Sequence, residues 1–146
     1  MKKYCFIVIC ACFVVSCAAS AERNRADAAQ QYKDYSGQEV IFVYDAADTL
    51  LFTFTDKKHR EQLGLLIGKG TAQAGSENPA ALFTQMPDDA HVLYRYVLQS
   101  KRGECVELLV YANYRSIRMR GLPVLGTITW KIPEADYDAL CRPDTW

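Results

Sequence analysis

Short runs of β-branched and aromatic residues, separated by turn-forming residues, dominate the chain after its first quarter and predict β-strands. The first two runs, 39–45 (EVIFVYD) and 49–55 (TLLFTFT), are separated by a gap of hairpin length. Segment 106–110 is apolar on both faces, which predicts a central strand. Later strands are predicted at 90–99, 104–112 and 122–132, with a further short strand at 114–120.

Residues 56–70 change to helical spacing. Asp56 can cap the helix, and Gly68 is predicted to end it. The polar segment 71–80 (TAQAGSENPA) is predicted to be a loop. The predicted buried positions share one helix face: Leu63, Leu66 and Ile67.

The last strand alternates, which predicts a sheet with one buried face. One side carries Val124, Ile128, Trp130 and Ile132, and the other carries Thr127, Thr129 and Lys131. Pro133 begins a final short helix with Glu134 and Asp136 in its first turn. The element order ββαβββ(β)α predicts a small single α+β domain, an antiparallel sheet of about five strands with two helices packed on one face.

The N-terminus has the organisation of a secretory signal: basic Lys2 and Lys3, then an uncharged apolar run, then small residues. The tetrapeptide at 14–17, VVSC, resembles the lipobox of bacterial lipoproteins. That resemblance implies cleavage before Cys17 and attachment of lipid to its thiol, and two or three acyl chains together make a stable membrane anchor. Ala18 after the cysteine implies export to the outer membrane, facing the periplasm.

These features divide the chain into a signal peptide at 1–16, a lipidated N-terminus and flexible tether at 17–36, and a globular domain at 37–146. Two alternatives remain for the first segment. The uncharged run from Tyr4 to Ala21 is just long enough to span a bilayer without cleavage. Cleavage after Ala19 or Ala21 would instead release a soluble periplasmic protein.

The charge balance bears on the class of partner. The chain has 17 Lys and Arg and 17 Asp and Glu. Without Lys2 and Lys3, which fall in the signal, the segment from Cys17 onward has a net charge of about −2. This balance argues against nucleic acid as a partner and against electrostatically driven membrane binding.

Two of the six cysteines, Cys105 and Cys141, fall within the globular domain. In an exported domain, two such thiols predict a disulfide. The alternative is two unpaired buried cysteines that act as small hydrophobic residues.

The sequence has no recognisable catalytic motif, and it predicts neither a cofactor nor a metal site. Segment 64–71 (GLLIGKGT) lacks the spacing of a phosphate-binding loop. His59 and His91 are far apart in the sequence, and no ligand spacing connects them with Asp45 or Asp48. Solvated polar residues account for all four, so we expect no catalytic residue.

The most suggestive surface combines arginines with tyrosines, which are enriched at protein interfaces. The alternative is a solvated outer sheet face. The candidate binding residues are Tyr111, Tyr114, Arg115, Arg118 and Arg120, with Arg95, Lys101 and Arg102 from the neighbouring hairpin.

We therefore expect a non-enzymatic envelope lipoprotein that binds another protein, of the inhibitor, immunity or envelope-assembly accessory type. The alternative is a periplasmic lipoprotein that binds a small molecule or a glycan. A third hypothesis is an enzyme that uses His59, His91, Asp45 or Asp48.

Overall fold

A computed structural model describes residues 29–77 and 85–146, with the backbone alone over 69–77. The predicted signal peptide, Cys17 and most of the predicted tether lie outside the described residues. Residues 29–34 are helical, and the Gln30 side chain donates a hydrogen bond to Asp34 Oδ1 (3.0 Å). Gly37–Trp146 forms a compact unit of its own.

This unit is a six-stranded antiparallel sheet with helices on one face, which confirms the predicted α+β class with one more strand than expected. The strand order is β2-β1-β3-β4-β5-β6, so the strand that contains 106–110 is central, as predicted. The strands are β1 (Val40–Asp45), β2 (Leu50–Phe54), β3 (Val92–Gln99), β4 (Cys105–Tyr111), β5 (Ser116–Leu122) and β6 (Gly126–Lys131). The helices are α1 (Lys57–Glu77), α2 (Glu134–Leu140) and a short 3-10 turn, η1 (Pro143–Thr145).

The first face of the sheet is the one that the helices cover, and it carries the main core. Cross-strand register aligns large apolar side chains across it, because alternate residues of each strand share a face. One such row is Val43, Tyr96, Leu108, Met119 and Ile128. Leu63 of α1 and Leu140 of α2 complete this core, and neither is exposed to solvent.

Helix α1 begins as predicted but continues further. The Asp56 side chain accepts a hydrogen bond from the His59 backbone N–H (3.1 Å), which caps the first turn. The helix passes through Gly68 and runs to Glu77, so the predicted stop is wrong. The predicted loop at 71–80 is helical as far as residue 77, and 78–80 lie outside the described residues. Gly68, Gly70 and Gly75 each weaken a helix relative to alanine, but none of them ends this one, and Ala72, Gln73 and Ala74 favour helix.

The C-terminus belongs to the core. Trp146 stacks between Phe54 of β2 and Tyr96 of β3, with ring centroids 5.8 and 5.4 Å away. Its indole N–H donates to the Ala139 carbonyl (2.8 Å), while the Tyr96 hydroxyl donates to the Leu140 carbonyl. These bonds attach α2 and the last residue to the middle of the sheet.

The turn between β5 and β6 departs from the prediction. Val124 was expected to point into the core with Ile128 and Trp130, but it lies in the turn and is fully exposed. The reason is that β6 starts at Gly126, so the alternation that holds for Ile128 and Trp130 does not extend back to Val124.

Within the described residues, no helix combines the length and the apolar character needed to cross a bilayer.

Candidate functional site

The second face of the sheet, opposite the helices, carries several of the arginines that the sequence singles out. Alternate residues of the strands form it, and register arranges them in adjacent rows. One row is Tyr44, Arg95, Leu109, Arg118 and Thr129, and the next is Phe42, Val97, Glu107 and Arg120.

The apolar part of the second face is as buried as the first face. Phe42, Val97 and Leu109 are 0%, 1% and 3% exposed, and Thr129, which was predicted to point outward, is 3% exposed. The prediction of a sheet with a single buried face is therefore wrong. The physical reason lies in β1, β3 and β4, which carry apolar residues on both faces, as strands buried on both sides do.

Arg95, in the middle of the second face, is engaged by its own domain. Its Nε and Nη2 donate to Asp48 Oδ1 (3.1 and 2.9 Å), and Nη1 donates to Glu107 Oε1 (3.3 Å). The guanidinium also lies 4.2 Å from the centre of the Tyr44 ring, within cation–π range. Arg95 therefore holds β1, β3 and β4 together and is a structural residue.

The remaining cations of this face form what we call the basic patch: Arg118 and Arg120 of β5 and Lys131 of β6. Arg120 and Lys131 are exposed and Arg118 is half-buried. Arg118 Nε donates to Thr129 Oγ1 (3.1 Å), which orients the guanidinium. Glu107 lies opposite Arg120 in register but bonds Arg95. The patch thus presents positive charge on the outer two strands of the sheet.

The other predicted binding residues do not join the patch. Tyr111 ends β4 on the second face and is 3% exposed. Tyr114 and Arg115 lie in the β4–β5 connection, where the Tyr114 hydroxyl donates to Asp89 (2.6 Å) and Arg115 pairs with Glu134 (3.1 Å). The hydrogen bond to Asp89 raises the pKa of the Tyr114 phenol. The predicted cluster is therefore divided between a strand and a connection.

Lys131 and Glu107 were missed from the predicted set. Glu107 is the one charged residue within segment 106–110, and Lys131 shares one face of β6 with Thr127 and Thr129. Because every second side chain of a strand points to the same face, this spacing could have placed Glu107 and Lys131 on the face of Arg118.

The predicted disulfide between Cys105 and Cys141 is absent, and both thiols are free. Cys105 begins β4 on the second face, two residues before Glu107, whereas Cys141 packs against the core of the first face. The sheet lies between them, so the bridge cannot form in this fold. Burial raises the pKa of both thiols.

The candidate catalytic residues serve local structure. The His59 ring stacks on Phe54 (4.3 Å between centroids) and bonds the Asp56 carboxylate. That histidine lowers the pKa of Asp56, mainly through its backbone N–H and then through its ring. Asp45 accepts hydrogen bonds from its own turn, at the Ala47 and Thr49 N–H groups (both 2.8 Å).

His91 is separate from these groups. Its backbone N–H donates to the Asn113 side chain (3.0 Å), and its ring is exposed in the residues before β3. Across residues 29–77 and 85–146, no group of three or more His, Cys, Asp and Glu side chains is arranged to hold a metal ion.

Comparison of the chain with protein-family models, curated proteins and solved structures finds no match.

Proposed function

We propose that this chain is a bacterial envelope lipoprotein, anchored through lipid on Cys17, that acts by binding another envelope protein. The lipobox-like VVSC sequence supports the anchor, and Ala18 after the cysteine favours the outer membrane with the domain facing the periplasm. Inhibition of a partner, immunity against it, or assistance in envelope assembly are the classes of activity that such a protein would have. Catalysis is not part of the proposal.

The basic patch is the observation that carries the binding part. Arg118, Arg120 and Lys131 are grouped on the outer two strands of the second face, while Glu107, which lies opposite Arg120 in register, is bonded to Arg95. Arginine binds carboxylates with two parallel hydrogen bonds and is enriched at the centre of protein interfaces. The chemistry therefore fits a partner with an acidic surface.

A charge reversal at the patch tests this proposal. Arg120→Glu changes an exposed side chain, so the fold should be unaffected. We expect wild-type lipoprotein, captured at native expression from solubilised envelopes, to bring down a stoichiometric protein partner. Arg120→Glu should reduce that partner at least tenfold, and moderate salt should weaken the wild-type complex.

Arg142→Glu is the matched control, because Arg142 is also exposed but lies next to α2, away from the second face. It should capture the partner as well as the wild type does. The proposal is refuted if no protein is captured, or if Arg120→Glu and Arg142→Glu behave alike. Thermal stabilisation of the domain by a glycan or metabolite, without a protein partner, would favour ligand binding instead.

A further inference from the structure

One end of the sheet collects three segments that are distant in sequence. Register places Val40 beside Gln99 and Gln99 beside Cys105. Gly121 lies against Cys105 as well, since a Cβ added to that glycine would be 2.9 Å from the Cys105 carbonyl oxygen. We call this the loop end: it comprises Gly37–Glu39, the β3–β4 turn at 100–104 and the β5–β6 turn at 123–125.

The β5–β6 turn exposes apolar side chains. Val124 is 104% exposed and Leu125 is 57% exposed. The backbone holds them there at a conformational cost: Val124 has φ 72°, and the Leu125 N–H donates to the Pro123 carbonyl (2.8 Å), which closes a γ-turn. Positive φ is strained for a β-branched residue, and neither the strain nor the exposure benefits the isolated domain. The exposure of two adjacent apolar side chains is the observation that points to a contact with an apolar phase.

The neighbouring β3–β4 turn supplies positive charge. Lys101 and Arg102 are exposed, and Ser100 Oγ fixes the turn by accepting the Arg102 and Glu104 N–H groups (both 3.2 Å). The acidic residues of the loop end are Glu104 and Glu39, and Glu39 pairs with Arg60 of α1 (3.4 Å), so the two turns retain a positive balance.

The opposite end of the sheet carries more acidic residues than basic ones. The β1–β2 turn, the residues before β3 and the start of α2 meet there, because strands of an antiparallel sheet alternate in direction. The exposed acidic residues at this end are Asp48, Asp88, Asp89 and Glu134. Of these, Asp48 pairs with Arg95 and Glu134 pairs with Arg115, and Lys131 is an exposed cation at the same end. A surface that carries anionic phosphates would attract the loop end and repel the opposite end.

We propose that the loop end faces the membrane, with Val124 and Leu125 in the bilayer interface and Lys101 and Arg102 on lipid phosphates. This inference rests on the proposed lipid anchor. The chain enters the domain at Gly37, in the loop end itself, and residues 17–36 connect that point to Cys17. A short tether gives the turn a high effective concentration at the bilayer, so two apolar side chains suffice for contact.

A tryptophan probe tests the proposal on the full lipidated chain. Leu125→Trp is reconstituted in vesicles of phosphatidylethanolamine and phosphatidylglycerol that carry brominated acyl chains, which quench nearby tryptophan fluorescence. We expect its added fluorescence to fall at least twofold. Leu65→Trp is the control, because Leu65 is 61% exposed on α1, and its fluorescence should not fall. Wild-type protein gives the background from Trp130 and Trp146.

A second variant separates membrane contact from folding. Val124→Gly removes the positive-φ strain, so it should raise the thermal midpoint of the domain, and removing the side chain should reduce quenching of Leu125→Trp. Charge reversal at Lys101 and Arg102 should reduce quenching in the anionic vesicles. Equal quenching of Leu125→Trp and Leu65→Trp would overturn the proposal. A photocrosslinker placed at residue 125 of the lipidated chain in its envelope would also overturn it if it labelled a protein instead of lipid.

The mass of the purified chain reports acylation at Cys17 independently. An acylated chain whose Leu125→Trp probe is not quenched refutes the membrane-facing turn alone. A chain without acyl groups refutes the anchor, and with it the inference that rests on that anchor.

Discussion

Cys105 and Cys141 illustrate what a single residue's position in a strand decides. Their even number and the predicted export favoured a disulfide, yet the alternation of β4 directs Cys105 to the second face while Cys141 packs on the first. Counting cysteines gives no information about which face of a sheet each one occupies.

The thiols should therefore behave as two independent, poorly reactive groups. Burial raises the pKa of each, and the thiolate is the reactive form, so alkylation of the folded chain by iodoacetamide at pH 7 should be slow and should accelerate as the pH rises towards 9 and above. In denaturant without reductant, peptide mapping should show both residues alkylated. A peptide containing a Cys105–Cys141 disulfide would contradict the fold described.

Arg118 and Arg120 were singled out by residue type, and the structure places both on one face. Tyr114 and Arg115 were grouped with them only because they are close in sequence. Both residues lie in the β4–β5 connection, where Tyr114 bonds Asp89 and Arg115 pairs with Glu134. These partners are 25 and 19 positions away in the sequence, so the local pattern could not predict them.

At the scale of elements, the presence of helices and strands could be predicted from the sequence, but the residues at which they end could not. Asp56 caps α1 because an N-cap is a local hydrogen bond. The end of α1 was misplaced because glycine is only a weak helix breaker, and the helix continues through Gly68, Gly70 and Gly75. The β5–β6 turn was read as strand because Val124 and Leu125 are apolar, and apolarity alone does not distinguish a core strand from an exposed turn.

The turns between strands differ in how closely they approach their neighbours, and this predicts a difference between two glycines. Gly103 and Gly121 both have positive φ, 82° and 78°. An added Cβ would meet nothing within 4 Å at Gly103 but would lie 2.9 Å from a backbone oxygen at Gly121. Gly103→Ala should cost about 1 kcal/mol of the free energy of unfolding, and Gly121→Ala clearly more.

Urea denaturation of the two variants and the wild type measures this difference. Because both variants carry the same positive-φ penalty, the excess in Gly121→Ala isolates the close approach of β5 to β4. Equal destabilisation of the two variants would mean that the backbone at Cys105 moves away from residue 121 without lowering the free energy of unfolding.

At the scale of the whole molecule, the anchor and the domain depend on different parts of the chain. The folded unit Gly37–Trp146 is stabilised by its own core, which includes the last residue, Trp146. Attachment to a membrane depends on Cys17 in the proposed function.

Cys17→Ala should therefore abolish incorporation of radiolabelled fatty acid and leave the uncleaved precursor, while the domain keeps its thermal midpoint. Cys12→Ala is the matched control, because Cys12 lies within the predicted signal and its loss should leave labelling unchanged. Labelling of Cys17→Ala at the wild-type level would exclude the lipobox interpretation.

The class of the fold could be predicted from local patterns in the sequence. These patterns are the strand periodicity, the cap of α1 at Asp56, Pro133 at the start of α2, and the apolar residues of 106–110, which indicate a central strand. The tertiary structure alone decided that the second face is buried over β1, β3 and β4 and exposed at Arg120 and Lys131. It also decided that Cys105 and Cys141 are separated, and that the β5–β6 turn, the β3–β4 turn and Gly37 share one end. These are properties of strand register, which is set by long-range pairing and is not encoded in any short stretch of sequence.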